Sequence, residues 1–130
     1  MMIKLDLRSS QPIYEQIVSQ YKYLCLQGYL KKGDSIPSVR RMAMDLSITP
    51  GTVAKAYREM EQIGMIETIR GKGTFIASRP ETVRDEKEIR KVREEMKENC
   101  LELIYQGLEK KEILALVEEV LDSLTEGMNK

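Results

Sequence analysis

Residues 38–64, SVRRMAMDLSITPGTVAKAYREMEQIG, contain two short amphipathic patterns separated by a few residues. In the first pattern, apolar residues recur at intervals of three and four from Val39 to Leu46, which is typical of a helix that buries one face. The second pattern has the same spacing and runs from Val53 to Ile63. Two short helices joined by a tight turn form the helix-turn-helix unit, whose second helix enters the major groove of DNA.

The ends of both predicted helices are marked by residues that favour helix termini. Ser38 is a good N-cap for the first helix, and residues 47–48 make a tight turn after it. Thr49 caps the second helix, and Pro50 takes its first position, where a missing backbone N–H has no cost. Gly64 ends this second helix.

The sequence on both sides of this pair completes a larger unit. Upstream, Pro12 opens an amphipathic helix that lasts until Gly28, and residues 29–37 are predicted as a loop. Downstream, residues 66–69 and 74–77 are predicted as short strands that flank a hairpin turn. This order of elements is that of a winged helix-turn-helix. We therefore expect a mainly α fold with a small β-hairpin and a core of aliphatic residues, Met and Tyr.

The charges divide the chain near residues 78–80. The whole chain has 21 Lys and Arg against 21 Asp and Glu, so its net charge is zero. Residues 1–79 hold 12 basic and seven acidic residues, net +5, whereas residues 80–130 hold nine and 14, net −5. A basic half is expected of a surface that binds phosphates. We predict a DNA-binding domain over residues 1–79 and a helical tail over residues 80–130, with Pro80 in the first turn of the tail.

The pattern of apolar residues in the tail predicts two helices, which together have more apolar residues than they can bury between themselves. The first helix ends near Gly107, and apolar residues mark the second from Ile113 to Met128. Because Gly127 disfavours a helix, we expect the second helix to fray beyond Leu124. Because an isolated helical hairpin is marginal in water, we expect the tail to dimerise as a helical bundle. The predicted interface residues are Ile89, Val92, Met96, Leu103, Ile113, Val117, Val120 and Leu124. The alternative is that the tail packs on its own winged helix.

The outward face of the second helix in the pair carries side chains suited to DNA. They are spaced by three or four residues opposite the apolar stripe, and they offer hydroxyls, cations and an amide. The hairpin turn adds two cations, and the first helix of the pair begins with two arginines. The predicted DNA-binding residues are Ser38, Arg40, Arg41, Thr49, Gly51, Thr52, Lys55, Arg58, Arg70, Gly71, Lys72, Gly73 and Thr74, and Gln62 shares the outward face. Each feature alone also fits a solvated helix or an ordinary hairpin, so their order on a basic segment is what favours DNA.

Other classes of protein are disfavoured by what the chain lacks. It has no histidine, which removes the commonest general base and the commonest metal ligand. Its two cysteines, Cys25 and Cys100, match no metal spacing. No apolar run reaches the roughly 18 residues that a membrane span needs, and the N-terminus lacks a secretory pattern. We therefore expect a cytoplasmic protein that has no catalytic residues, no metal, no cofactor and no membrane partner.

Several stretches together resemble the GntR family of bacterial regulators. They are KGDSIPSVR (32–40), TVAKAYREME (52–61) and GMIE (64–67), inside a segment that begins with PIYEQI (12–17) and ends with GKGTF (71–75). The resemblance covers residues 3–78, and it is specific because the motifs occur in the same order. It implies an N-terminal winged helix that binds double-stranded operator DNA.

The short tail resembles that of the YtrA-like branch of the family, in which two helices after the winged helix dimerise. It is too short for the ligand-binding or aminotransferase-like domains of the other branches. Carried over by motif, the resemblance implies a phosphate or base contact for Arg40 and a DNA-contacting cation at Lys55. It also implies a wing tip at Gly71 and its neighbours.

Three residues depart from the pattern of the family. Pro50 stands where many members have arginine, Gly51 replaces a frequent asparagine, and Ser47 replaces a frequent glycine in the turn. YtrA-like proteins resemble this chain at Pro50. The first two departures concern which DNA sequence is bound rather than whether DNA is bound.

The sequence as a whole predicts a transcriptional regulator, specifically a repressor that binds a palindromic operator as a homodimer. The alternative is a winged-helix adaptor for protein or RNA contacts. An enzyme is disfavoured because no nucleophile–base pair or metal cluster is present. A small-molecule effector is compatible with the tail, but no residue indicates its identity.

Overall fold

The computed structural model describes residues 3–77 and 84–126. The chain forms two compact units, residues 1–80 and residues 81–130. The elements in chain order are α1 (Ile13–Leu26), β1 (Ser35–Ile36), α2 (Val39–Leu46), α3 (Pro50–Gln62), β2 (Ile66–Ile69), β3 (Gly73–Ile76), α4 (Glu86–Tyr105) and α5 (Lys110–Thr125). The predicted fold class, a winged helix-turn-helix followed by two helices, is confirmed. Within these residues no helix has both the length and the apolar character needed to cross a membrane.

The core of the first unit lies among α1, α2 and α3. Its most completely buried large side chains are Ile17 of α1, Met42 of α2, and Val53 and Met60 of α3. The apolar stripes predicted for these helices therefore face one another, and the core is built from aliphatic residues, Met and Tyr as expected. The apolar stripe of α3 was predicted to extend to Ile63, but this is wrong, since Ile63 is 49% exposed. Ile63 is the C-cap of α3, where the backbone is no longer helical and the side chain no longer follows the helical spacing.

The sheet has three antiparallel strands in the order β1-β3-β2. The hairpin of β2 and β3 was predicted, but β1 lies within residues 29–37, which were predicted as a loop. Ser35 pairs with Phe75, and Ile36 pairs with Thr74. A strand of two residues is too short to show an alternating pattern, so only its partner strand reveals it.

The turn between α2 and α3 is closed by a residue with an unusual backbone. Ser38 caps α2 as predicted, since its side chain accepts a hydrogen bond from the backbone N–H of Arg41 at 3.1 Å. Ser47 ends α2 in the left-handed conformation, with φ 56° and ψ 45°. Glycine adopts this conformation without steric cost, which gives a physical reason for the glycine that family members often carry at this turn.

Two glutamines of α1 hold the segment that precedes it. The buried side-chain amide of Gln16 accepts from the backbone N–H of Asp6 at 2.8 Å and donates to the carbonyl of Asp6 at 3.0 Å. One turn later, Gln20 accepts from the backbone N–H of Lys4 at 2.7 Å and donates to the carbonyl of Lys4. The two amides thus satisfy the backbone N–H and carbonyl groups of Lys4 and Asp6, which lie two residues apart in the segment before α1.

The second unit consists of α4 and α5. Asp85 caps α4 through the backbone N–H groups of Lys87 and Glu88. At the start of α5, the backbone N–H of Glu109 donates to the side-chain carboxylate of Glu112 at 3.0 Å, as in a capping box. The first helix ends close to Gly107, as predicted. Pro80 was expected in the first turn of the tail, but α4 begins at Glu86, and the predicted boundary at residues 78–80 lies outside the described residues, as do Gly127 and Met128.

Candidate nucleic-acid interface

The second helix of the helix-turn-helix, α3, has one buried side and one exposed side. Val53, Ala56, Tyr57 and Met60 are buried. Gly51, Lys55, Arg58 and Gln62 are exposed, and Thr52 is half-buried. The outward residues predicted from the sequence therefore share one accessible side of α3, where an amide, a guanidinium and an ammonium are available to base edges and phosphates.

The start of α3 presents little bulk. Thr49 occupies the N-cap position, but its hydroxyl bonds the hydroxyl of Thr52 at 2.9 Å instead of a backbone N–H. Pro50 is at the first helical position, and a Cβ added at Gly51 would meet no atom within 4 Å. Gly51 is helical, so the fold does not require glycine there. This end of the helix can therefore approach another molecule closely.

Two arginines lie on the exposed surface of α2, the first helix of the pair. Arg40 and Arg41 are both exposed. The guanidinium of Arg41 forms an ion pair with Asp45, one turn further along α2, at 3.2 Å. An exposed pair of this kind contributes at most about 1 kcal/mol, so a phosphate can replace Asp45 as the partner of Arg41. Ser38 keeps its hydroxyl hydrogen for a second partner while it caps α2.

The tip of the β2–β3 hairpin is basic and exposed. Arg70, Gly71, Lys72 and Gly73 are all accessible to solvent. Gly71 has φ 80° and Gly73 has φ 123°, so the tight turn depends on residues that have no Cβ. The backbone N–H of Lys72 closes the turn on the carbonyl of Ile69 at 2.9 Å. Two cations at such a tip suit a groove edge or a phosphate backbone.

The structure corrects one predicted site residue in the wing. Thr74 was expected to contact DNA, but only 8% of it is exposed. It lies in the central strand, where it pairs with Ile36 on one side and with Thr68 on the other. Because side chains alternate between the faces of a strand, Thr74 points into the core and is removed from the candidate interface.

One contact in this region was not predicted from the sequence. The ammonium of Lys55 on α3 lies 4.1 Å from the centroid of the Tyr14 ring on α1. The hydroxyl of Tyr14 donates to a carboxylate oxygen of Glu15 at 3.2 Å, and this bond raises the pKa of the phenol above its ordinary value. No local pattern links residues 41 positions apart, so the sequence carried no signal for the pair.

The predicted interface residues of the tail differ in how exposed they are. Most are exposed on α4 and α5, while Leu103 and Val117 are half-buried. Ile113 is only 9% exposed within a single chain, so little of its side chain is left for a partner. In the part of the chain that the structure describes, no group of His, Cys, Asp or Glu is arranged to hold a metal ion.

Comparison with known proteins gives this arrangement a context. Residues 13–76 match the model of the bacterial regulatory proteins of the gntR family. The chain is 43% identical over 119 residues to the HTH-type transcriptional repressor YtrA of Bacillus subtilis (strain 168), and this match covers 92% of each chain. The chain belongs to the GntR family.

Solved structures of similar proteins agree with this assignment. A crystal structure described as a transcriptional antiterminator from Listeria monocytogenes EGD-e is 37% identical, with a TM-score of 0.85 over 96% of this chain and 93% of that one. YtrA of Sulfolobus acidocaldarius, a GntR-family transcription factor, is 32% identical, with a TM-score of 0.60 over 78% of this chain and 98% of that one. This GntR protein is therefore a YtrA-like, DNA-binding regulator of transcription, and its relatives are regulators rather than enzymes.

Proposed function

We propose that this GntR regulator is a homodimer that binds a palindromic operator in duplex DNA and represses transcription there. The observation that carries the proposal is the apolar surface of the tail, which one chain leaves open. No residue of α4 is buried, and Ile113 is the only buried residue of α5. Tails that dimerise would bring two DNA-binding units together, which is what a palindrome requires.

The amount of exposed apolar surface argues for a partner. The large apolar side chains that remain exposed on the two helices are Ile89, Val92, Met96, Leu101, Ile104, Tyr105, Leu114, Leu116, Val120, Leu121 and Leu124. A soluble monomer rarely leaves an apolar surface with so many large side chains in contact with water. A second copy of the same helix pair would bury it in a four-helix bundle, and the two-fold symmetry makes each surface its own complement.

The DNA side of the proposal uses the exposed residues of α2, α3 and the wing. In this arrangement α3 enters the major groove, and the tip at residues 70–73 lies along the neighbouring groove or backbone. In a dimer the two copies of α3 would stand about 34 Å apart, one turn of the duplex. The tail, with its net charge of −5, would be repelled by phosphates and kept off the DNA.

The decisive experiment is selection of bound duplexes from a random pool by the full-length protein. We expect the selected sites to contain an inverted repeat whose half-sites are about 10 base pairs apart, centre to centre. We also expect the affinity for the best site to exceed that for random duplex by roughly 10³-fold or more. A single asymmetric site, or selectivity far below that ratio, would show that the proposal is wrong.

Dimerisation is tested on the same protein by one substitution and a matched control. Val92→Glu places a carboxylate on the apolar surface of α4, and it should shift the sedimenting species from dimer to monomer and weaken operator binding. Lys91→Gln changes the net charge equally, and it lies about 140° around the helix from Met96 and about 160° from Ile89, so it should leave the dimer intact. A wild-type protein that sediments as a monomer at concentrations that saturate the operator would exclude a dimeric reader.

Repression is proposed because the relative from Bacillus subtilis is named a transcriptional repressor. The description of the Listeria structure as an antiterminator favours a second candidate, contact with RNA. The same selection with a single-stranded RNA pool separates the two candidates. We expect no enriched RNA motif, whereas enrichment in RNA without enrichment in duplex DNA would favour the second candidate.

A further inference from the structure

The contact between Tyr14 and Lys55 joins the first helix of the domain to the exposed side of α3. Lys55 is exposed and Tyr14 is half-buried at the start of α1. The distance of 4.1 Å from the ammonium to the ring centroid is within the range of a cation–π contact. The lysine is therefore held over a fixed aromatic surface, although it belongs to the side of α3 that carries the candidate DNA contacts.

The surroundings of the ammonium leave its charge available. Glu59 lies one helical turn after Lys55, and Glu15 neighbours Tyr14 in the chain. Among the described residues, however, neither carboxylate forms an ion pair with Lys55. The carboxylate of Glu15 instead accepts the hydrogen bond of the Tyr14 hydroxyl. A ring orders the lysine without neutralising it, whereas a carboxylate would compete with a phosphate or a base for it.

We propose that Tyr14 is a positioning residue for DNA recognition, whose ring holds the ammonium of Lys55 in place on the exposed side of α3. A free lysine side chain loses much conformational entropy when it binds, and that loss weakens the contact. A lysine that is ordered before DNA arrives loses less, so the ring increases affinity without touching DNA. The proposal rests on the proposed function, because it requires that Lys55 contacts duplex DNA.

A double-mutant cycle on the full-length protein tests the proposal. The variants are Tyr14→Leu, Lys55→Ala and the double variant, and the probe is the best duplex from the selection. Tyr14→Leu should weaken binding about two- to fivefold, the range that a cation–π contact supports. In the Lys55→Ala background the same change should have no effect, because the lysine that the ring positions is gone. Tyr14→Phe keeps the aromatic face and should stay within about twofold of the wild type.

Each outcome of the cycle has a defined meaning. An equal loss from Tyr14→Leu in both backgrounds would overturn the proposal, because Tyr14 would then act through the fold or through its own contact. Tighter binding by Tyr14→Leu would overturn it as well, since the ring would then withhold Lys55 from DNA. If Lys55→Ala leaves binding unchanged, or Tyr14→Leu has no effect, the proposal also fails. In all these cases selective binding by the wild type still stands, whereas a wild type that does not select duplex DNA overturns both proposals.

Thermal unfolding of each variant separates positioning from folding. Tyr14→Leu and Tyr14→Phe should unfold in single transitions at similar temperatures, because the ring is only half-buried.

The coupling between Tyr14 and Lys55 should also appear in specificity. Both single variants should reduce the preference for the selected duplex over a variant duplex, a change that a purely structural role would not produce.

Discussion

The hydroxyl of Tyr57 on α3 lies 3.2 Å from the hydroxyl of Tyr21 on α1 and donates to the carbonyl of Pro37 at 2.7 Å. Because a phenol has one hydrogen and Tyr57 gives it to the carbonyl, Tyr21 is the donor between the two hydroxyls. The rings also meet edge to face, with centroids 6.1 Å apart and an interplanar angle of 78°. One phenol thus fixes α3 both to α1 and to the segment before α2.

Removal of this hydroxyl should destabilise the domain by more than the loss of one ordinary hydrogen bond. Tyr57→Phe leaves the Pro37 carbonyl and the Tyr21 hydroxyl without their partner, so we expect a loss of about 1–3 kcal/mol in the free energy of unfolding. Tyr21→Phe leaves the bond to Pro37 in place and should cost about 0.5–1.5 kcal/mol. Urea denaturation monitored by circular dichroism measures both values.

A matched control for these substitutions is Tyr23→Phe. Tyr23 is on the same helix as Tyr21, but it is 42% exposed, so its change should be close to zero. If Tyr21→Phe costs as much as Tyr57→Phe, the bond to Pro37 does not have the central role that the geometry gives it.

The same pair makes stability depend on alkaline pH. Burial is the largest cause for both phenols, and it raises the pKa of Tyr21 and of Tyr57 above the ordinary phenol value. The unfolded chain therefore loses these protons first, from about pH 10, and the folded state loses them only at higher pH. The free energy of unfolding should keep its full value below about pH 10 and should fall as the pH rises above it.

Denaturant titrations at neutral pH and at about pH 11 check this dependence. In the double variant Tyr21→Phe/Tyr57→Phe both phenols are gone, so the decrease between the two conditions should be smaller than in the wild type. An equal decrease would assign the alkaline sensitivity to other groups.

The left-handed residue in the turn offers a stabilising substitution. Ser47→Gly relieves the steric cost of a side chain at φ 56°, although glycine also makes the unfolded chain more flexible. The two effects oppose each other, and we expect a net gain of up to about 1 kcal/mol in the free energy of unfolding. Ser47→Ala keeps a Cβ in the strained conformation and should give no gain, so equal stabilities of the two variants would contradict the explanation from backbone strain.

What the sequence predicted correctly was encoded locally. The caps and stops of α2 and α3 depend on residues such as Ser38, Pro50 and Gly64, which act on their own helix. The exposed side of α3 followed from a period of 3.6 residues once Val53 and Met60 were assigned to the core. The basic hairpin tip followed from the glycines and cations within the turn itself.

What the sequence did not predict depends on residues that are distant in the chain. The strand β1 exists because β3 pairs with it, and the same pairing buries Thr74 in the central strand. The contact of Lys55 with Tyr14 needs the packing of α3 on α1. Such contacts have no local period, so a single sequence carries no pattern that reveals them.

Gly51 separates the requirements of folding from those of binding. It lies in the first turn of α3, where alanine is favoured over glycine, and a Cβ there would meet no atom of the protein. Gly51→Ala should therefore raise the free energy of unfolding by up to about 1 kcal/mol.

The proposed interface predicts that the same change weakens the affinity for DNA, because the added methyl group would stand where α3 approaches the duplex most closely. We expect affinity for the selected operator to fall roughly tenfold, the cost of losing one good contact of about 1.4 kcal/mol. Urea denaturation and fluorescence anisotropy on the same preparation measure the two effects. Unchanged or tighter binding by the more stable variant would place the start of α3 outside the DNA interface.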